Sequence, residues 1–143
     1  MNRRPSLWLI VLCFILSIAS PVLANEPTLT PTQVVYQWLQ WYPQDLPQAA
    51  TLTTTSLRKG LSQKEWVENN EPLLKDLQFK YLDGKVLEEN TQGVNASVTV
   101  QVRLFLVIGE VRQVETYSLK KVKGHWRIND QQIQEDHVIG RTI

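Results

Sequence analysis

VNASVTVQVRLFLVI, residues 94–108, is the stretch whose reading decides the fold. Val94, Ala96, Val98, Val100, Val102, Leu104, Leu106 and Ile108 fill every even position, while Asn95, Ser97, Thr99, Gln101 and Arg103 hold the first odd ones. Side chains of an extended chain point alternately to opposite faces. A period of two this long therefore predicts an antiparallel strand with one face on a core and the other toward water. The alternation fails at Phe105 and Val107, which place apolar groups on the polar side. An apolar outer end needs a cover. Three covers compete: the C-terminal residues (Ile133, Val138, Ile139, Ile143), a second copy of the chain in a homodimer formed through the outer sheet face, or another protein.

The neighbouring segments extend the sheet. Gly109-Glu110 turns the chain into a strand over residues 111–122, with Val114, Tyr117 and Leu119 as packing residues; no single alternation fits all three, which predicts a bulge. Lys123-Gly124 is a tight turn, and residues 125–129 form a last strand with Trp126 and Ile128 inward and His125 outward. Lys120-Lys121-Val122-Lys123, beside that turn, reads as a solvated edge in preference to a membrane patch. Upstream, Leu77, Phe79 and Tyr81 share a strand face that continues through Val86-Leu87 past an irregularity at Gly84, and Thr91-Gln92-Gly93 signals a hairpin.

Helical signals precede the strands. Thr30 caps, Pro31 suits the first helical position and Gln33 completes a capping box, so a helix is predicted over residues 31–42, stopping before Pro43. Its apolar face is Val34, Val35, Trp38, Leu39, Trp41 and Tyr42. A weaker helix follows Asp45, with Ala49, Ala50 and Leu52 inward, and a helical turn closes at Gly60. Ser62 to Glu65 forms another capping box, opening a short helix over residues 63–70 that carries Trp66 and Val67 and ends before Pro72.

The chain opens with Arg3 and Arg4, an apolar run over residues 7–19 and the small-residue site Val22-Leu23-Ala24. That order predicts a secretory signal cleaved after Ala24, with an uncleaved membrane tether as the alternative. Removing 24 of the 143 residues leaves 119, one domain's worth. The expected organisation is a signal over 1–24, a leader over 25–29, an α+β domain over 30–130 and a C-terminal tail over 131–143. Cys13 lies inside the signal, so the mature chain has no thiol for a disulfide, a metal or nucleophilic catalysis. Without Arg3 and Arg4, 13 basic residues face 14 acidic ones, a formal charge of −1 that gives no reason to expect nucleic acid.

Helices first, then a meander of long strands, imply an α+β fold with the helices packed on one face of a curved antiparallel sheet. With that order and the ending Tyr117-x-Leu119-x-x-Val122-x-Gly124-x-Trp126-x-Ile128, the chain resembles the nuclear transport factor 2-like (cystatin-like, cone-shaped) superfamily over residues 30–130. The superfamily includes isomerases, dehydratases, ligand carriers, docking domains and uncharacterised exported proteins, so the resemblance implies a fold and leaves function to the site.

Members resembling ketosteroid isomerase carry a carboxylate and a tyrosine inside the cone. Asp45, Asp83, Asp130, Tyr36, Tyr42, Tyr81 and Tyr117 are the candidates for such a pair, yet Asp83 and Asp130 sit at turns and the strand over 94–108 offers only apolar groups inward. No catalytic residue is assigned on this basis, because acid–base chemistry needs an ionisable group at the reacting atom. His137 follows Glu135-Asp136, a spacing that does not converge on one ion, and no metal or other cofactor is expected. The aromatic residues Trp38, Tyr42, Tyr81, Tyr117 and Trp126 are the candidate lining for a small hydrophobic ligand. Phe105 and Val107 are the candidate interface. The reading that results is an exported, non-catalytic binding or protein-interaction module. An isomerase- or dehydratase-like enzyme and a hydrophobic-ligand carrier are the alternatives, and a membrane enters only if the signal is uncleaved.

Overall fold

The two capping boxes form as the sequence predicts. Thr30 Oγ1 accepts from the Gln33 backbone N–H at 3.2 Å and Gln33 reaches back to Thr30 N at 2.9 Å, opening α1 (Pro31–Trp41). Ser62 and Glu65 repeat the exchange at 3.1 and 3.0 Å to open α3 (Gln63–Leu77). Between them, Asp45 caps the short α2 (Leu46–Thr51), whose Leu46, Ala49 and Ala50 are buried. The structure, a computed structural model, describes residues 27–138, and side chains through residue 134. The expected signal over 1–24, with Cys13, and the residues Ile139 and Ile143 lie outside that range, as do the side chains of Glu135, Asp136, His137 and Val138.

Four strands follow: β1 (Lys80–Gln92), β2 (Asn95–Leu106), β3 (Gly109–Val122) and β4 (His125–Val138), all antiparallel in the order β1-β2-β3-β4. The helices cover one face, as the α+β reading expects. Val98, Val100, Val102 and Leu104 are buried there against Val34, Val35 and Trp38 of α1. Gly84 lets that helix approach: a Cβ at this position would lie 2.6 Å from Leu39 Cδ1.

Three expectations are corrected. α3 runs on to Leu77 instead of ending before Pro72, which sits inside it on an exposed face. Proline removes one backbone donor, but Leu74 buries beyond it and Gln78 closes the helix in a left-handed conformation, φ 52°. β4 continues through 131–138, the first part of the segment expected as tail, because β3 is long enough to pair with it as far as Val111. The irregularities fall at Leu82 and Leu87 on β1 and at Asn129 and Gln134 on β4, where one strand advances a residue unpaired; β3 itself has no bulge.

The segment after α2 also touches the sheet edge. Thr53 bridges Ile128 in parallel, with Ile128 N donating to Leu52 O at 2.7 Å and Thr54 N to Ile128 O at 2.9 Å. Buried Arg58 braces this loop through Thr53 O, Thr53 Oγ1 and Leu61 O at 2.7–3.0 Å.

Candidate functional site

The unbroken alternation of β3 places Val111, Gln113, Glu115, Tyr117 and Leu119 inward, all buried. Val114, expected to pack inward, lies on the opposite face. Glu115 is thereby set in the middle of the cone, opposite Val100 on β2 and Ile133 on β4, with 1% of its surface exposed. Three side chains donate to its carboxyl group. Tyr81 OH from β1 lies 2.9 Å from Oε1 and 3.0 Å from Oε2, Gln113 Nε2 donates to Oε1 at 2.8 Å, and Tyr117 OH donates to Oε2. Gln131 Nε2 on β4 donates in turn to Tyr117 OH at 3.3 Å, and the two phenol oxygens are 3.4 Å apart.

Burial governs the acidity of this cluster. Loss of water disfavours the carboxylate and raises the Glu115 pKa above the ordinary glutamate value, against the opposing effect of the donors. Tyr81 and Tyr117 are pushed well up by burial first, then by the Glu115 carboxyl group at Tyr81 and by the Tyr81 phenol and Glu115 at Tyr117, so both remain phenols that donate. Tyr42 is pushed up to about 12 by burial and by the charge of Glu115.

Aromatic rings close over the network. Trp38 stacks on Tyr42 at 4.6 Å, Tyr42 meets Phe79 edge-on at 5.5 Å, and Phe79 meets Tyr81 edge-on at 4.9 Å; Trp66 lies 6.1 Å from Trp38. A surface hollow of about 340 Å³, lined by residues that include Tyr36, Leu39, Gln40 and Gln44, reaches Tyr81 but not Glu115, Gln113 or Tyr117. The indole N–H of Trp38 is buried with no partner among the described residues.

Of the residues read as a ligand lining, Trp38, Tyr42, Tyr81 and Tyr117 come together here. Trp126 does not join their ring contacts; it is buried elsewhere along the sheet, with Lys121 Nζ 5.6 Å from its ring. The other polar candidates lie apart: Asp45 caps α2, Asp83 pairs with Arg103 at 2.6 Å on the outer face, and Tyr36, Asp130 and His125 are exposed. Sequence reasoning missed Gln113, Glu115 and Gln131. The signal was present: Val111, Tyr117 and Leu119 share one phase, which carries residues 113 and 115 inward, whereas counting Val114 as a core residue breaks that phase. Phe105 and Val107 are 40% and 49% exposed, and Ile108 beside them 64%. Among the described residues, no cluster of three metal-ligating side chains occurs and no helix is long and apolar enough to cross a membrane.

No protein-family model matches the chain, and no curated protein does. Solved structures do. A domain of unknown function with a cystatin-like fold from Nostoc punctiforme is 12% identical with a TM-score of 0.56, covering 74% of this chain and 75% of that one. An NTF-2 like protein of unknown function from Shewanella oneidensis is 16% identical with a TM-score of 0.53, covering 74% and 100%. Bd1075 from Bdellovibrio bacteriovorus is 17% identical with a TM-score of 0.54; the match covers 71% of this chain but only 38% of that longer one. The chain has the nuclear transport factor 2-like, cystatin-like fold. At these identities the likeness defines architecture, and the site has to speak for function.

Proposed function

We propose that this chain is an exported, non-catalytic binding module whose working surface lies outside the cone. The observation that carries this reading is the engagement of Glu115. Both of its oxygens accept bonds from Tyr81, Tyr117 and Gln113, and the hollow that reaches Tyr81 stops short of it. An acid–base catalyst has to present an atom to its substrate; here the one carboxyl group buried among the described residues is spent on its neighbours. The contact surface is the exposed Phe105, Val107 and Ile108 end of the sheet, with a second copy as the partner. The basic start, apolar run and thiol-free remainder support export.

Sedimentation of the wild type against Phe105→Lys tests the surface. Self-association in the wild type and its loss in the variant are expected; a wild type that stays monomeric at high concentration removes the second copy as partner. The second reading, an isomerase- or dehydratase-like enzyme, is favoured by Glu115 lying between two phenols with its pKa raised by burial. It requires the Tyr42 and Phe79 rings to move aside. Tryptophan fluorescence with a panel of phenols and conjugated ketones separates the readings. Silence is expected; a ligand whose binding is lost in both Glu115→Gln and Tyr117→Phe would establish a cone site and overturn the reading that the working surface lies outside the cone.

A further inference from the structure

The turn joining β3 to β4 gathers basic residues. Lys120, Lys121, Lys123 and Arg127 fall within eight residues, and register sets Lys120 directly opposite Arg127. Lys123 (φ 49°) and Gly124 (φ 81°) form the tight turn, leaving Lys123 at its tip. No Asp or Glu occurs between Ser118 and Asn129, nor in the adjoining hairpin from Asn90 to Gly109. Among the described residues none of these four cations makes an ion pair. The nearest carboxylates by register are Asp130 on β4 and Glu88 and Glu89 on β1, and Glu89 accepts from Thr32 Oγ1 at 2.9 Å. Lys121 N donates to Val94 O at 2.9 Å, which brings the other hairpin turn alongside. Val94 and Val122 stand exposed among the lysines.

That Thr32–Glu89 bond also places the start of α1 at this same end. Glu89 stands three residues before Gln92, about 10 Å along the strand from the turn. The six residues 25–30 span up to about 20 Å when extended. The chain between the apolar run and the domain is therefore long enough to bring the end of that run level with both hairpin turns.

We infer that this end of the molecule faces a membrane and docks on anionic phospholipid headgroups. Lysine and arginine meet the phosphates while Val94 and Val122 enter the interfacial layer, the arrangement of a basic surface with apolar points. A nucleic acid would match the charge but gain nothing from the exposed valines. The inference stands whether or not the cone is catalytic.

Amine acetylation read by mass spectrometry tests it, using the full chain reconstituted in vesicles of phosphatidylcholine alone or mixed with phosphatidylglycerol. Lys121 and Lys123 should react several-fold more slowly on the anionic vesicles and regain their rate in high salt. Lys64, exposed on α3, serves as the internal reference and should not change. Replacing Lys120 and Arg127 with glutamine keeps both reporters and should weaken docking by about fivefold per charge removed. Equal rates on neutral and anionic vesicles would overturn the inference. So would protection by RNA or heparin without protection by phosphatidylglycerol, which would assign the surface to a soluble polyanion.

Discussion

The inner faces of β2 and β3 lie side by side, equally buried and with the same period, yet they differ in kind. β2 presents Val98, Val100, Val102 and Leu104, which ask nothing of their surroundings but close packing. β3 presents Gln113, Glu115 and Tyr117, each of which needs a partner with the right geometry. The partners come from elsewhere: Tyr81 from β1 reaches over β2, and Gln131 comes from β4. The apolar strand can thus be satisfied locally, while the polar one depends on the entire sheet being in register.

The strongest way to break the contrast is to carry the carboxyl group to the wrong strand. Val100→Asp, opposite Glu115, sets a second carboxyl group beside the first without donors and should cost more than about 4 kcal/mol, or abolish folding, in urea unfolding. A cost below about 1 kcal/mol would show that the inner face of β2 is wetter than its burial indicates. Tyr117→Phe removes one donor from Glu115 and leaves Gln131 without its acceptor, for an expected loss of about 1–3 kcal/mol. An unchanged midpoint would mean that Tyr81 and Gln113 alone hold the carboxyl group. Gly84→Ala probes the apolar side at the helix contact; its Cβ would meet the movable end of Leu39, so about 1 kcal/mol is expected.

The gentlest probe is pH. Burial raises the Glu115 pKa, so the folded chain keeps this proton to a higher pH than the unfolded chain does. The stability it contributes is complete below the ordinary glutamate range and is lost as pH rises through the raised value. Glu115→Gln should flatten that decline in denaturation midpoints measured across mildly acidic to neutral pH; an identical slope in both proteins would mean that another group titrates.

The same contrast explains what the sequence disclosed. β2 was legible because an apolar face writes its period in the residues themselves, and both capping boxes were legible because their partners lie three residues apart. Glu115 was not, since a charged residue in a strand reads as surface unless its neighbours fix the phase, and Val114 offered a false one. The length of β4 was hidden for a related reason. Gln131, Gln132 and Gln134 show no hydrophobic period, and the strand is held by the pairing of Gln131, Gln132 and Ile133 with β3. Pro72 marked a helix end by local rules, and burial of Leu74 two residues further on outweighed the lost bond.

The bridge between Thr53 and Ile128 carries a consequence in time. The residues after α2 complete their backbone bonds on a strand that begins more than seventy positions later. A nascent chain therefore cannot finish its N-terminal half until its last strand exists, and such distant closures come late because chain entropy must first be lost. Until then the loop braced by Arg58 lacks its contact with the sheet edge. A protein whose first half waits for its last strand closes from both ends at once instead of from its beginning onward.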